Sequence, residues 1–458
     1  MARAVSIALA IALTIGCALH KPPDAKTIKE QALPDVQPPN QWTAAAAAER
    51  VSDNWLATFG DDRLTAAVAE AIAHNADLRA GAAHVEQARL YAKLAGATLY
   101  PSVDLVAHGG GKMGGDSAGV RGIGVSMTWE LDVWGRVRYG RAAAVADALA
   151  ARADFDYARQ SIAALVAKSW FLTTEAALQA DVARGTIRDG EELVRLAEAR
   201  SRIGAGSEED VFVARASVGA YRDALREIEL AGDQGRRALE LLLGRYPAGA
   251  AASAPQLPAQ VPAIPAGLPS ELLERRPDVV AAERRVAAAF NRVHEAKAAR
   301  LPSIALTSGI RTITSDLFVL ANSANPVWSL GATLLAPIYK GGALQTQVEI
   351  RTAEQKEAIA QYASTGLRAF GEVEQALASE VAAREREQIL AQTLSDNRRA
   401  LDLVQRRYEI GSTDLRFVTQ QRLAVNATSS ALIRMQAEQR VQRVNVHLAV
   451  GGSFERSP

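Results

Sequence analysis

The residues able to do chemistry are few and dispersed. The chain has 458 residues, one cysteine (Cys17) and six histidines, at 20, 74, 84, 108, 294 and 447. A single cysteine cannot form an intrachain disulfide, and no metal-type spacing exists. There is no G-x-S-x-G segment, no Cys/His pair and no carboxylate cluster at a strand end, so nucleophilic and acid–base catalysis lack candidates. The expectation is a protein that is not an enzyme and holds no metal or cofactor. Lys and Arg number 52 against 51 Asp and Glu, a balance that does not point to nucleic acid. What remains is the chemistry of two small turns, Arg202-Ile203-Gly204-Ala205-Gly206-Ser207 and Glu409-Ile410-Gly411-Ser412-Thr413-Asp414. Glycine suits the end of a helix, and Ser207 or Asp414 can cap the helix that follows. Glu208, Glu209 and Asp210 favour that helix's positive end.

Cys17 has its own context. Arg3 precedes an apolar run, Ala4 to Ile15, followed by Gly16, which is the pattern of a secretory signal over residues 1–16. The run is too short to span a membrane. The placement of the cysteine resembles a bacterial lipoprotein signal, in which that cysteine is lipidated (palmitate among its acyl chains) and becomes the mature N-terminus. Thr14 stands three places before it where leucine is usual, with Leu13 one place out. Residues 17–54, with prolines at 22, 23, 34, 38 and 39, are expected to be an extended lipidated tether rather than a core.

The elements that position the turns come from a duplication. Ala97-Thr98-Leu99-Tyr100-Pro101-Ser102-Val103 recurs as Ala298-Ala299-Arg300-Leu301-Pro302-Ser303-Ile304, offset by 201 residues, and Asp77 and Asp278 each lie 24 places before the proline. Such repeats organise a fold. Prolines are absent from Ser102 to Tyr246 and from Ile338 to Ser457, and crowd between. The spacing gives a first repeat over 55–246: a helix Asp62–Leu99, a β-hairpin at about 102–131 and a long helical hairpin at about 138–244. A linker, 247–270, follows. The second repeat, 271–450, carries a helix Glu271–Arg300, a β-hairpin at about 303–337 and a helical hairpin at about 343–450, with a tail at 451–458. At 1.5 Å per residue the outgoing helices would be roughly 95–100 Å long. Gly185 and Gly190 weaken the first by about 1 kcal/mol each and mark a place for a break.

Between proline joint and long helix the period changes to two. Val103, Leu105, Ala107; Ile123, Val125, Met127, Trp129, Leu131; Ile304, Leu306, Ile310; and Trp328, Leu330, Ala332, Leu334 alternate with small or polar residues. Period two means strands. Four strands, apolar on one face only, match membrane-spanning barrel strands; a soluble hairpin packed on a helix fits the same pattern. No helical run of 18 apolar residues follows the signal. Four strands cannot close a barrel, the smallest having about eight, and open edges are not tolerated in lipid. Three copies would supply twelve.

Several local matches in order make the chain similar to the TolC/OprM-like outer membrane factors, in their NodT-like lipoprotein branch. They are Trp55…Phe59-Gly60-Asp61…Leu64, Asn75-Ala76-Asp77-Leu78, Arg276-Pro277-Asp278-Val279, the two proline joints, Trp129-Glu130-Leu131-Asp132-Val133-Trp134-Gly135-Arg136, Ala336-Pro337-Ile338-Tyr339-Lys340-Gly341-Gly342, Ile203-Gly204-Ala205, and Arg407-Tyr408-Glu409-Ile410-Gly411. The resemblance implies a mainly α fold with a transmembrane β-barrel: a homotrimer with a shared 12-stranded barrel, a periplasmic α-helical coiled-coil barrel, and an equatorial belt joined by residues 247–270. It implies a passive outer membrane duct for drugs or other small molecules, lipid-anchored at Cys17. The duct would be served by a periplasmic adaptor and an inner-membrane pump, expected to be of RND type. The tips meeting the adaptor would be Ile203, Gly204, Ala205 and Gly206 with Ile410, Gly411 and Ser412. The aperture would be held by Thr413 and Asp414, or by bonds from Tyr408, Arg406 and Arg416. Phe417 and Gln420 stand where some relatives carry aspartates, and a plain helix cap is an equal reading of Asp414. The rival function is a periplasmic coiled-coil adaptor or scaffold lipoprotein without a pore.

Overall fold

The computed structural model describes residues 19–36, 38–44, 53–109, 121–258, 266, 267, 269–314 and 327–455. The signal segment and Cys17 lie outside them. In chain order the elements are α1 (Ala25–Ala32), a 3-10 turn (Trp55–Phe59), α2 (Asp62–His74), α3 (Ala76–Ala97), β1 (Ser102–Gly109), β2 (Arg121–Leu131), α4 (Arg136–Arg202), α5 (Glu208–Leu242), a 3-10 turn (Pro269–Glu271), α6 (Leu272–Arg275), α7 (Pro277–Ala298), β3 (Ser303–Thr314), β4 (Val327–Leu335), α8 (Ala343–Glu409) and α9 (Leu415–Ala449). The duplication is visible in the lengths: α3 and α7 have 22 residues each, α4 and α8 have 67, α5 and α9 have 35.

Two compact units can be distinguished. One contains Ala82–Asp154 and Asp278–Thr365 with the chain before Val36; the other contains Gln37–Gly81, Phe155–Pro277 and Gly366–Pro458. Each unit draws on both repeats.

The first unit holds the sheet, antiparallel in the order β1-β2-β3-β4. Its register places Leu105 opposite Val125, Val125 opposite Ile310, and Ile310 opposite Trp328. Directly paired residues share a face, so the apolar residues of all four strands form one continuous surface. Leu105, Trp328, Leu330 and Leu334 are each at least two-thirds exposed on it. The opposite face carries Asp104, Ser126, Gly309 and Ser329 along one row. No helix among the described residues is long and apolar enough to cross a membrane.

Each proline joint is clasped by an indole, one from the end of β2 and one from the segment after it. Trp129 Nε1 donates to the Leu99 carbonyl at 3.0 Å, and Trp134 Nε1 to the Pro302 carbonyl at 2.7 Å. Asp132 starts α4 by accepting the backbone N–H groups of Val137 and Arg138, both at 2.9 Å. Further along α4, Asp147 pairs with Arg292 and Asp154 with Arg285 of α7, seven residues apart on each helix.

The second unit holds the main apolar core: Trp55, Leu56, Phe59, Leu64, Val68, Val166, Phe171 and Leu239, among others. Asp61 caps α2 and also accepts from Trp170 Nε1 at 2.9 Å. Arg276, 1% exposed, reaches Glu372 at 2.7 Å and the Ala449 carbonyl at 3.2 Å, which explains its place in the Arg-Pro-Asp-Val segment. The described part of the 247–270 linker forms no helix or strand before Pro269, and inserts Ala251 and Ala254 into the core. Glu240 anchors it by accepting the N–H groups of Gly249 and Ala250 at 2.6 and 2.7 Å.

Three expectations need correction. The tether is not simply extended: Asp24 caps α1, whose Ile28 is fully buried in the first unit. Trp42 is buried in the second, donating to the carbonyls of Ala266 and Gly267. Pro22 and Pro23 precede α1, and Pro34, Pro38 and Pro39 lie between it and Trp42. Next, the helices expected over 62–99 and 271–300 are each interrupted. Asn75 turns its carboxamide oxygen to the N–H groups of Asp77 and Leu78 and its Nδ2 to the Leu242 carbonyl. Arg276 is extended because it precedes a proline. Finally, α4 does not break at Gly185 or Gly190. A Cβ on Gly190 would lie 3.1 Å from Val218 and 3.2 Å from Tyr221, so that glycine lets α5 close on α4, which offsets its helix penalty.

Candidate functional site

All four long helices end the same way. Gly204, Gly244, Gly411 and Gly451 have φ between 71° and 74°. The next N–H in each case bonds the carbonyl five residues back: Ala205 to Arg200, Arg245 to Glu240, Ser412 to Arg407 and Gly452 to His447, at 2.8–2.9 Å. This is the Schellman arrangement, which favours glycine at the left-handed position. At the tips, Gly204 and Gly411 have open space where a Cβ would go. Ile203 and Ile410, beside them, are each 79% exposed. Ala205 and Ser412 are exposed as well, whereas Gly206 is half-buried, with Arg200 Cβ only 3.0 Å from where its Cβ would stand.

The returning helices start with polar caps. Ser207 and Asp210 form a reciprocal capping box on α5. Asp414 caps α9, its Oδ1 accepting from the Arg416 N–H at 2.9 Å. The other carboxylate oxygen, Oδ2, accepts from the guanidinium of Arg200 in the last turn of α4. The Arg416 N–H, and after it Arg200, hold the Asp414 carboxyl below the usual carboxylate range. The two tips of one protomer are therefore bound to each other.

That link ends a longer polar seam between α4 and α9. Arg422 reaches Glu192 at 2.7 Å and Asp189 at 3.6 Å. Asn426 donates to Asp189 at 2.7 Å, and Gln179 exchanges bonds with Ser430. Pairing α4 with α5 are three ion pairs spaced seven residues apart, Arg184–Glu229, Glu191–Arg222 and Glu198–Arg215, at 3.2, 2.8 and 2.7 Å. A seven-residue repeat is that of helices supercoiling about one another. Between the three helices near the tips lies a cleft of about 340 Å³, with an apolar floor including Leu193, Leu196, Val213 and Leu423, and Arg200 and Arg416 at its edge.

The structure does not bring all the expected aperture residues together. Asp414 and half-buried Thr413 sit at the joint between tips. Arg406 pairs with Asp402 of its own helix, and the Arg416 guanidinium lies 5.9 Å from the ring of its neighbour Phe417. Tyr408 is 43% exposed, and its carbonyl accepts the Gly411 N–H. Arg200, Asp189, Glu192 and Arg422 were not singled out from sequence. The available signal was an opposite charge at each tip: arginine four places before Gly204, aspartate three places after Gly411.

Comparison with known proteins places this geometry. The family described as outer membrane efflux protein matches residues 67–245 and 268–452. The cation efflux system protein CusC of Escherichia coli O6:H1 is 29% identical, with 98% of each chain covered. The pyoverdine export outer membrane protein OpmQ of Pseudomonas putida is 29% identical, covering 92% of this chain and 93% of its own. Among solved structures, the outer-membrane channel OprN superposes with a TM-score of 0.81 at 25% identity, covering 92% of this chain and 99% of its own. The open-state MtrE outer membrane channel of Neisseria gonorrhoeae also gives 0.81 at 25% identity, covering 96% and 98%. These matches span both repeats and set aside the pore-less scaffold. The chain belongs to the outer membrane efflux protein family, the channel components of tripartite efflux systems.

Proposed function

We propose that three copies form one passive duct through the outer membrane, anchored by lipid at Cys17. In this reading the apolar face of the sheet meets lipid, and β4 of each copy pairs with β1 of the next. The observation that carries it is the sheet itself: four strands with one continuous apolar face and two open edges. Such edges are not tolerated in lipid, so the sheet needs closure by further copies. The α4–α5 and α8–α9 hairpins project their tips toward a periplasmic adaptor fed by an inner-membrane pump, for which we take the RND class. Ile203, Gly204, Ala205 and Gly206 with Ile410, Gly411 and Ser412 are the contact tips. Asp414 and Arg200 hold the aperture closed, with Thr413, Arg416, Arg406 and Tyr408 around them. The chain carries out no reaction.

The cargo is open to the pump. Relatives of equal similarity are named for cations and for pyoverdine, and others for toluene and antibiotics. Among the described residues no group of three or more His, Cys, Asp or Glu is placed to hold a metal ion.

The test is conductance of the purified protein in planar bilayers. The wild type should give small, infrequent channels, and Arg200→Ala larger and longer ones. Absence of channels from both, with the protein correctly inserted, would contradict the duct.

A further inference from the structure

His20, three residues after Cys17, rests on a cluster of rings in the unit that carries the sheet. Its imidazole stacks on His294 of α7, with centroids 5.1 Å apart and planes 15° apart. His294 also stacks on Tyr139 of α4 at 5.1 Å and meets Phe290 at 4.5 Å. The Tyr139 hydroxyl accepts the His20 backbone N–H at 2.9 Å and lies 3.2 Å from its Nδ1. Beside it, Leu19 fills the place of a missing side chain: a Cβ on Gly135 would come 2.8 Å from Leu19 Cδ2. Tyr139 is 5% exposed, His294 half-buried and His20 exposed, so the cluster is a surface clasp on a firm base.

The charges around the clasp are unequal. On α7, Lys297 adds positive charge near His294, while Arg292 is bound to Asp147 of α4. The Glu295 carboxylate turns to Gly140 of α4, where an added Cβ would be 2.9 Å from its Oε1. On α4, Arg138 is bound to Asp132. The N-terminal segment itself brings His20 and Lys21. No ion pair between a carboxylate and either imidazole is found among the described residues.

We propose that the His20–His294–Tyr139 stack is an acid-labile latch, clasping the segment behind Cys17 onto α4 and α7 while the His294 imidazole is neutral and releasing it when that ring is protonated. The Tyr139 hydroxyl holds the segment against α4 by accepting the His20 N–H with one lone pair. A proton on His294 sits near Lys297 with no carboxylate paired to the ring among the described residues, and this loosens the stack. Burial, then Lys297 and His20, hold the His294 pKa below its ordinary value. A base whose pKa is lowered by docking favours the docked state at high pH. The latch is therefore closed above the ordinary histidine range, about 6.5, and weakens as pH falls below it. Release stops at α1, because Ile28 is fully buried by apolar contact.

The test is hydrogen exchange at the His20 amide in the full lipidated protein in nanodiscs, at pH 7.5 and 5.0, corrected for the intrinsic rate. Protection should fall by about tenfold or more at the lower pH, while peptides covering α1 keep theirs. His294→Phe, which keeps an aromatic ring but cannot be protonated, should lose most of that pH dependence; His294→Tyr serves the same purpose if the first variant does not fold. Equal protection at both pH values in the wild type, an amide unprotected at pH 7.5, or full pH dependence in the folded variant would each overturn the latch.

Discussion

Arg200, in the last turn of α4, donates its guanidinium to the same carboxylate of Asp414 that caps α9. One side chain thus starts a helix and ties the two tips of a protomer together. The roles separate by mutation. Asn is as good an N-cap as Asp, so Asp414→Asn should keep α9 intact while weakening the tie, and should raise conductance about as much as Arg200→Ala. Asp414→Ala should open the channel equally and also destabilise by about 1 kcal/mol through loss of the cap. Equal stability of the Asn and Ala variants would mean that Asp414 is not acting as a cap.

The tie should respond to salt and not to mild acid. Its side chains are 40% and 27% exposed, and such a pair contributes no more than about 1 kcal/mol. Screening at 1 M salt, where the Debye length is about 3 Å, weakens it further. Asp414 has a lowered carboxyl pKa. Its contribution is therefore complete above the unfolded value of about 3.9 and is lost only as pH falls through the lower folded value. Open probability should rise with ionic strength and stay level between pH 7.5 and 5. A steep rise over that pH interval would assign the control to another group.

His447, 1% exposed on α9, should be the main acid-sensitive group of the second unit. It stacks on Trp55 at 5.7 Å, and neither ring nitrogen has a hydrogen-bond partner among the described residues. Burial, with nearby Arg443, pushes its pKa down to about 3. The unfolded chain binds a proton near pH 6.5 and the folded chain does not until about 3. Stability is thus unaffected above pH 6.5 and falls as pH drops toward 3, by up to about 1.4 kcal/mol per pH unit. His447→Phe keeps a ring on Trp55 without the proton site. Thermal melts at pH 7.5 and 5 should show a smaller acid loss for the variant than for the wild type; equal losses would contradict the assignment.

The second unit also carries a buried ion pair. Arg440 and Glu387 are 2.7 Å apart with side chains 3% and 7% exposed, and the same guanidinium donates to the Pro258 carbonyl. Removing one partner strands a charge, so Glu387→Ala should cost about 3–5 kcal/mol. Replacing both with leucine should cost much less, because no buried charge is left. A double variant as unstable as the single one would show that Arg440 matters mainly through its hold on the linker carbonyl.

Much of this architecture can be read directly. Proline joints, period-two runs and glycine turns gave the element order, because each obeys a local rule: Pro101 and Pro302 stop helices, and Gly204 and Gly411 supply positive φ. The legible part of the site was its backbone. Its side-chain pairings were hidden, since Arg200 and Asp414 are 214 residues apart and meet only through the antiparallel packing of α4 and α9. The interruption at Asn75 was hidden for a similar reason, as its carboxamide answers to Leu242 on another helix. Gly190 misled in the opposite sense: a local penalty was outweighed by close packing against Val218 and Tyr221.

A sheet with open edges resides in lipid only as part of a barrel shared among copies. The most direct measurement is the protein mass of the detergent-extracted, outer-membrane-derived particle by light scattering, with the detergent contribution subtracted. Three chains per particle are expected, hence twelve strands from the four described in each. A monomer recovered from the soluble periplasmic fraction would contradict it, because a four-stranded sheet with open edges cannot reside in lipid alone.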